Sequence, residues 1–224
     1  MKKDLGIALV SGGMDSVVAA AIALRKMPLA FLHVTYGQRT AAREQRSFHA
    51  SADFYEIEQR KVVSLDFLRE FGGSSLLDES LSVPDVSELK SDSVPTTYVP
   101  FRNTLLLSVA VAWAETLDAK TIVIGAVEED SAGYPDCRRE YFEAFNRLTQ
   151  IGIRPESEIT ILTPVIDMSK SEIVRRGTEL GAPFELTWSC YRETDKACGR
   201  CDSCVRRLRA FKEAGIPDPI EYES

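Results

Sequence analysis

Histidine is nearly absent from this chain. The 224 residues include only two, His33 and His49, one inside a strand pattern and one inside a helical pattern. A histidine-centred nucleophilic or acid–base mechanism therefore has little support. Long hydrophobic runs are missing as well. The apolar stretch at 7–10 follows Lys2, Lys3 and Asp4 and stops at a glycine pair, which fits neither a signal peptide nor a membrane span. Positive charge is in deficit, with 27 Lys and Arg against 34 Asp and Glu and a net charge of -7. That balance argues against long-range attraction to a nucleic-acid backbone. No repeat or low-complexity tract interrupts the chain. These absences predict a soluble, cytoplasmic protein with no nucleic-acid and no membrane partner. In that compartment clustered cysteines are expected to be metal ligands or catalysts and not disulfides, and a chain of this length buries a core without staples.

What is present is an alternation. Short β-branched runs at 5–10, 29–35, 61–65, 121–125 and 159–162 read as strands. Helical periods at 15–26, 40–55, 102–117, 139–148 and 169–180 lie between and beside them, the last closed by Gly181. Right-handed strand–helix–strand crossovers of this kind build an open parallel α/β sheet with helices on both faces, Rossmann-like in outline. Between 72 and 100 the composition shifts to Gly, Ser, Pro and scattered acids with weak periodicity, which predicts a mobile connection or an active-site flap. Past Pro183 the chain turns cysteine-rich. The expected division is an α/β domain over 1–183, with the insertion at 72–100, and a small C-terminal module over 184–224.

The first strand runs into Ser11-Gly12-Gly13-Met14-Asp15-Ser16 and then an alanine-rich helix, the place where an open parallel sheet presents its ligand-facing loops. Two glycines let backbone approach a phosphate, the N–H groups of a helix start point outward, and the helix dipole favours an anion there. Ser11 and Ser16 add hydroxyls. Asp15 suits either a magnesium ligand or a helix-start carboxylate, and sequence does not separate the two. The loop lacks the lysine and spacing of a Walker A sequence and the Gly-x-Gly-x-x-Gly of dinucleotide folds. The bland alternative is a capped helix behind a glycine turn, but a cap does not require two glycines and two hydroxyls together.

Near the other end, Cys190 is followed by Cys198, Cys201 and Cys204, with Gly199 allowing a tight knuckle. Four thiolates at this spacing suit a closed tetrahedral zinc site that folds the module and leaves no position for a catalytic water. A redox Cys-x-x-Cys pair, packed thiols and an iron–sulfur cluster are the alternatives. Cys137 stands apart and reads equally as a packed residue or a substrate contact.

Loops at the carboxyl ends of strands converge on one crevice. Those here carry Tyr36-Gly37-Gln38-Arg39, the polar run at 125–138 with Glu128, Glu129, Asp130, Tyr134, Asp136 and Arg138, the helix start Pro100-Phe101-Arg102-Asn103, and Ser169-Lys170-Ser171-Glu172. Each has an ordinary structural explanation: Ser169 and Glu172, for example, have capping-box spacing. Their joint placement at strand exits favours one shared site.

The six-residue glycine loop resembles the pyrophosphate loop of the N-type ATP pyrophosphatases, which adenylate a substrate with loss of pyrophosphate. Taken in order, Ser-Gly-Gly-Met-Asp-Ser, Tyr-Gly-Gln-Arg, Pro-Phe-Arg-Asn-Thr, Gly-Tyr-Pro-Asp-Cys-Arg, Lys-Ser-Glu-Ile, Thr-Trp-Ser-Cys-Tyr and Cys-Gly-Arg-Cys-Asp-Ser-Cys resemble the 7-cyano-7-deazaguanine synthase family of queuosine biosynthesis, over about residues 5–211. Two places depart from that family's pattern, Thr40 after Tyr-Gly-Gln-Arg and Ser131-Ala132 before Gly133. The resemblance implies an ATP-dependent ligase that turns 7-carboxy-7-deazaguanine and ammonia into the 7-cyano compound. A carboxylate oxygen leaves poorly; adenylation makes it a leaving group, ammonia gives an amide, and a second activation dehydrates the amide to a nitrile.

On this resemblance Ala8, Leu9, Val10, Ser11, Gly12, Gly13, Met14, Asp15, Ser16, Val17 and Val18 hold ATP, with Mg2+ as its companion ion. Ser11, Asp15, Ser16 and Lys170 carry the chemistry, and Cys190, Cys198, Cys201 and Cys204 hold Zn2+. Tyr36, Gln38, Arg39, Arg102, Asn103, Tyr134, Asp136 and Arg138 face the deazaguanine, and the protein is a homodimer fed by free ammonia or a separate donor. Two other readings compete: a relative that adenylates a tRNA base for modification, and a non-catalytic ATP-binding zinc interaction module.

Overall fold

The computed structural model describes residues 4–88 and 94–223, with nothing stated for the side chains of 131 and 132. Residues 89–93 of the expected insertion, and the side chains at the departure before Gly133, lie outside the described residues.

Five strands form one sheet in the order β3-β2-β1-β4-β5. They are β1 (Gly6–Leu9), β2 (Leu29–Thr35), β3 (Arg60–Ser64), β4 (Thr121–Ile124) and β5 (Thr160–Leu162), and every neighbouring pair is parallel. β1 lies at the centre, with Leu9 in register with Leu32 on one side and Ile124 on the other. Strands buried on both faces read as continuous apolar runs, which is what GIAL and LAFLHVT are. The period-2 alternation then sorts side chains to the two faces. Ala8, Val10, Phe31 and Val123 pack under α1 (Met14–Leu24), α2 (Ala41–Phe54), α6 (Lys170–Glu179) and α7 (Asp202–Ala214). Ile7, Leu9, Leu32, Ile122 and Ile124 pack under α4 (Arg102–Leu117) and α5 (Arg139–Gly152). This is the open parallel sheet with helices on both faces that the alternation predicts.

The chain leaves β1 toward β2 on one side and later returns to β4 on the other, so a crevice opens above the carboxyl ends of β1 and β4. α1 starts directly at that crevice because Gly125, just past β4, has no side chain. A Cβ there would lie 2.6 Å from the Ser16 Cα and N.

A third core unites the cysteine module with the rest. Tyr36, Leu76, Leu77, Val83, Val99 and Trp188 pack around Cys190, Cys198, Cys201 and Cys204. In the segment expected as a mobile connection, the described parts 72–88 and 94–100 thus carry buried side chains. Arg39 reaches the carbonyls of Ser75 at 2.8 Å and Asp78 at 2.6 Å, and that of Leu81. Arg192 donates to Asp85 at 2.6 Å and to the Val83 carbonyl. The segment packs on an irregular knuckle through irregular backbone, so no helix or strand period betrays its burial. The short α3 (Leu68–Phe71) precedes it. Past Pro183, α7 lies against α6 and contributes Ala210 and Phe211 to the main core.

Candidate active site

The Ser11 to Ser16 turn is open toward the crevice. Gly12 has φ +90, and a Cβ there would come within 2.7 Å of the Glu44 carbonyl and 2.9 Å of the Ser47 Cβ, so glycine is demanded by both conformation and space. Ser16 Oγ donates to the Gly13 carbonyl at 2.9 Å, the Ser11 and Ser16 hydroxyls lie 3.2 Å apart, and Gly13 N–H donates to Ser11 Oγ at 3.3 Å. Trp188 N–H donates to the Gly12 carbonyl at 2.8 Å and holds the loop from behind. α1 has no side-chain cap. Among the described residues the N–H groups of Met14, Asp15 and Ser16 find no acceptor. A helix start with free amides, a favourable dipole and two hydroxyls is an anion cradle.

Beside it lies a chain of charges. Lys170 is the first residue of α6, fixed by the Ser169–Glu172 capping box. Its Nζ donates to Asp15 Oδ2 at 2.7 Å and Asp130 Oδ2 at 2.8 Å. Arg206 Nη1 donates to Asp130 Oδ1 at 3.1 Å and its Nε to Asp202 at 2.9 Å. Burial pushes the Asp15 carboxyl up, while the Lys170 ammonium pulls it back. Burial pushes Lys170 down, and the two carboxylates outweigh that and hold it above its ordinary range. The geometry is that of a carboxylate facing an ammonium. Asp15 Oδ1 is buried with no partner among the described residues, so one oxygen of this carboxylate remains free to meet a cation.

Another part of the same cavity's wall is aromatic and cationic. Arg102 Nη1 donates to the Tyr36 hydroxyl at 2.9 Å, with its guanidinium 5.2 Å from the Tyr36 ring centre. Tyr134 and Tyr191 complete the wall. Burial raises the pKa of the Tyr36, Tyr134 and Tyr191 phenols, which stay neutral. Burial disfavours the Arg102 charge, yet its pKa stays raised, and at ordinary pH the Tyr36 hydroxyl it donates to and the Asp136 charge support the cation. Tyr36 is positioned by its own N–H, which donates to Gln38 Oε1 at 2.8 Å, and Gln38 Nε2 donates to Glu44 at 2.9 Å. Asn103 N–H donates to Asp136 Oδ2 and its Nδ2 to the Asp136 carbonyl, both at 2.9 Å. The cavity that both sets of residues line has a volume of about 260 Å³.

Of the residues expected at the nucleotide, Leu9, Val10, Ser11, Gly13, Met14, Asp15, Ser16 and Lys170 line this cavity. Ala8, Val17 and Val18 are buried in the core behind the loop, and Gly12 turns the backbone beneath it. Of those expected at the second substrate, Tyr36, Arg102, Asn103 and Tyr134 line it. Gln38 and Asp136 stand one shell out as hydrogen-bond partners of the lining. Arg39 points away into the 72–81 segment, and Arg138 pairs with Glu140 at 3.5 Å on the surface. Lining residues not singled out from the sequence include Glu44, Tyr191, Asp202 and Arg206. Asp202 and Arg206 are four apart on α7, a spacing that becomes a signal only once Cys201 and Cys204 are seen to start a helix. His33 is a core residue: its Nδ1 lies 2.9 Å from the Val10 carbonyl, and burial lowers its pKa and keeps it neutral.

The four C-terminal cysteines are buried, with their sulfur atoms all within 4.8 Å of one another. Metal–sulfur bonds of about 2.3 Å in a tetrahedron put sulfurs roughly 3.8 Å apart, and Cys198 and Cys204 lie 3.9 Å apart. N–H groups of Arg192, Glu193 and Cys198 point at Cys190 Sγ, and that of Cys201 at Cys198 Sγ. Neighbouring thiols and these amides lower the Cys190 pKa, and the same thiol contacts raise those of Cys201 and Cys204, which hold their protons more tightly. A cation would take the place of those protons. The cluster is tied to the cavity, because Cys201 is the N-cap residue of α7, whose first turns carry Asp202 and Arg206 to the cavity wall.

Residues 6–215 match the family described as Queuosine biosynthesis protein QueC. A 7-cyano-7-deazaguanine synthase from Chlorobium luteolum is 57% identical over 218 residues, covering 97% of this chain and 96% of that protein. Proteins of the same name from Chlorobium phaeobacteroides and Chlorobaculum tepidum are 55% and 54% identical over the same shares. The motifs that suggested this resemblance are the ones that fold into the cradle, the cavity wall and the cysteine cluster, and the chain belongs to the Queuosine biosynthesis protein QueC family.

Proposed function

We propose that this protein is an ATP-dependent ligase that converts 7-carboxy-7-deazaguanine and ammonia into 7-cyano-7-deazaguanine. The supporting observation is a single cavity lined both by a helix start with free amides and by a half-buried guanidinium among phenols. A carboxylate oxygen attacks the α-phosphorus of ATP, the bond to the bridging oxygen breaks, and pyrophosphate leaves. Ammonia then adds to the acyl carbon and AMP departs with the activated oxygen, leaving an amide and releasing a proton. In a second round the amide oxygen attacks the α-phosphorus of another ATP and pyrophosphate leaves, and loss of AMP with that oxygen and of both amide protons leaves the nitrile. The Met14, Asp15 and Ser16 amides and the Ser11 and Ser16 hydroxyls bind phosphoryl oxygens, and Lys170 orients Asp15 and Asp130.

The chemistry of the donors supports two metals. Asp15, with its free buried oxygen, suits Mg2+, which when bound neutralises triphosphate charge. Cys190, Cys198, Cys201 and Cys204 suit Zn2+ in a structural role. The homodimer reading is supported by the exposed apolar side chains Leu148 and Ile151 on α5, with Ile151 84% exposed. A cytoplasmic location fits the lack, among the described residues, of any helix long and apolar enough to cross a membrane. The test is turnover by purified metal-loaded protein. ATP should be consumed only when the carboxydeazaguanine and ammonia are both present, with the nitrile seen by mass spectrometry. ATP consumption indifferent to the deazaguanine would overturn the reading.

A further inference from the structure

Among the described residues that line the cavity, one cation has no counter-ion from the chain itself. Lys170 lies between two carboxylates, and Arg206 between Asp130 and Asp202. Arg207 forks onto Asp218 at 2.8 and 2.9 Å. Arg102 differs: it donates once, to the Tyr36 hydroxyl, and forms no ion pair among the described residues. Asp136 attracts it only at a distance, and Asp136 Oδ2 already accepts the Asn103 N–H. A guanidinium has five donors in a planar fork that matches a carboxylate. The Nε and Nη2 groups of Arg102 have no partner among the described residues. They are open to the cavity, since Arg102 is only half-buried and lines the cavity wall. The free amides and hydroxyls of the Ser11 to Ser16 turn line the same cavity, so the triphosphate has its own donors. The remaining anion in the proposed reaction is the acceptor's carboxylate.

We propose that Arg102 is the carboxylate anchor of the acceptor site, and that it separates the two activation rounds by charge. The inference rests on the function proposed above. A charged acid takes a charge-assisted fork from Arg102, with the Tyr36 hydroxyl holding the guanidinium in place. The neutral carboxamide formed in the first round keeps at most a neutral carbonyl contact with it. Arg102 therefore grips the entering acid more tightly than the amide, which is free to turn its oxygen toward ATP for the second round.

The test compares the acid and the corresponding 7-carboxamide as substrates for the full-length, metal-loaded protein and for Arg102→Gln. Thermal unfolding confirms that the variant is folded, and Arg102→Lys serves as the charge-retaining control. The expected result is a KM for the acid that rises about 10- to 100-fold more than that for the carboxamide in Arg102→Gln, with partial recovery in Arg102→Lys. Equal loss for acid and amide would overturn the anchor role, as would a rise confined to the KM of ATP, which would give Arg102 to the nucleotide. If the unaltered protein turns over neither compound, the proposed function fails. Calorimetric binding of the acid without ATP then judges Arg102 on its own: binding weakened at least tenfold by Arg102→Gln supports the anchor, and unchanged binding removes it.

Discussion

Replacing Lys170 with methionine removes the cation between two carboxylates while keeping a side chain of similar length. Lys170 is 11% exposed, and its partners Asp15 and Asp130 are 23% and 22% exposed. Breaking a fully buried pair costs about 3–5 kcal/mol. The partners here reach a water-accessible cavity, and Arg206 still covers Asp130, so about 1–3 kcal/mol is the expected loss. For a chain of this size that lowers Tm by roughly 3–9 °C.

The loss depends on pH in a defined direction. The Asp15 carboxyl is already raised above 3.8 by burial, and without its ammonium it rises further. A raised carboxyl binds its proton more tightly in the folded state. It therefore opposes folding fully above the folded pKa and ceases to do so as pH falls toward 3.8. Lys170, raised above 10.5, contributes stability below that value, which the variant lacks throughout the neutral range. Urea unfolding should thus show the largest deficit near neutral pH, shrinking in acid. AMP formation should fall about 100- to 1000-fold, because the carboxylate opposite the triphosphate loses its orientation. A deficit under about 0.5 kcal/mol, within the usual scatter of surface substitutions, or one that grows on acidification, would refute the reasoning.

Three further outcomes are expected. Ser16→Ala should weaken ATP turnover while Tm changes by only a few degrees, because the lost bond to the Gly13 carbonyl is worth about 1 kcal/mol; unchanged turnover would remove Ser16 from the cradle. Cys201→Ser should lower metal content by elemental analysis and loosen both α7 and the 72–88 segment packed on the cluster, seen as faster amide exchange there; full metal content with native exchange would contradict a four-thiolate site. The Cys137 thiol, pushed up to about 12 by burial with the Asp136 charge adding to it, should resist alkylation at pH 8, where its thiolate fraction is about 1 in 10,000. Labelling as rapid as in the unfolded chain would show that it is open.

Much of this architecture was legible in the residues because it rests on local rules. GIAL and LAFLHVT could only be buried parallel strands, and the glycine loop between β1 and α1 carries its conformation and its ligand chemistry in six residues. The cysteine spacing was equally direct. What escaped depends on contacts between distant residues. α7 was hidden because its inward face includes Cys204 and Arg207, so no apolar stripe marks it, and Arg207 is buried only because Asp218 and Thr187 satisfy it. The 72–88 segment is buried against a knuckle more than 100 positions later. Lys170 meets Asp15 from 155 positions away. Tyr-Gly-Gln-Arg shows both sides: Tyr36 faces the cavity, Gln38 supports it, and Arg39 clamps a loop, and nothing in four adjacent letters distinguishes the three.

Adenylation of the acceptor transfers its oxygen to the departing AMP. The most direct measurement supplies the acid with both carboxylate oxygens as oxygen-18 and follows the products by mass spectrometry. Activation of the carboxylate and then of the amide predicts that AMP from each round carries the heavy oxygen and that the nitrile forms with none left. Unlabelled AMP, or ADP and labelled phosphate in its place, would contradict adenylation at this site.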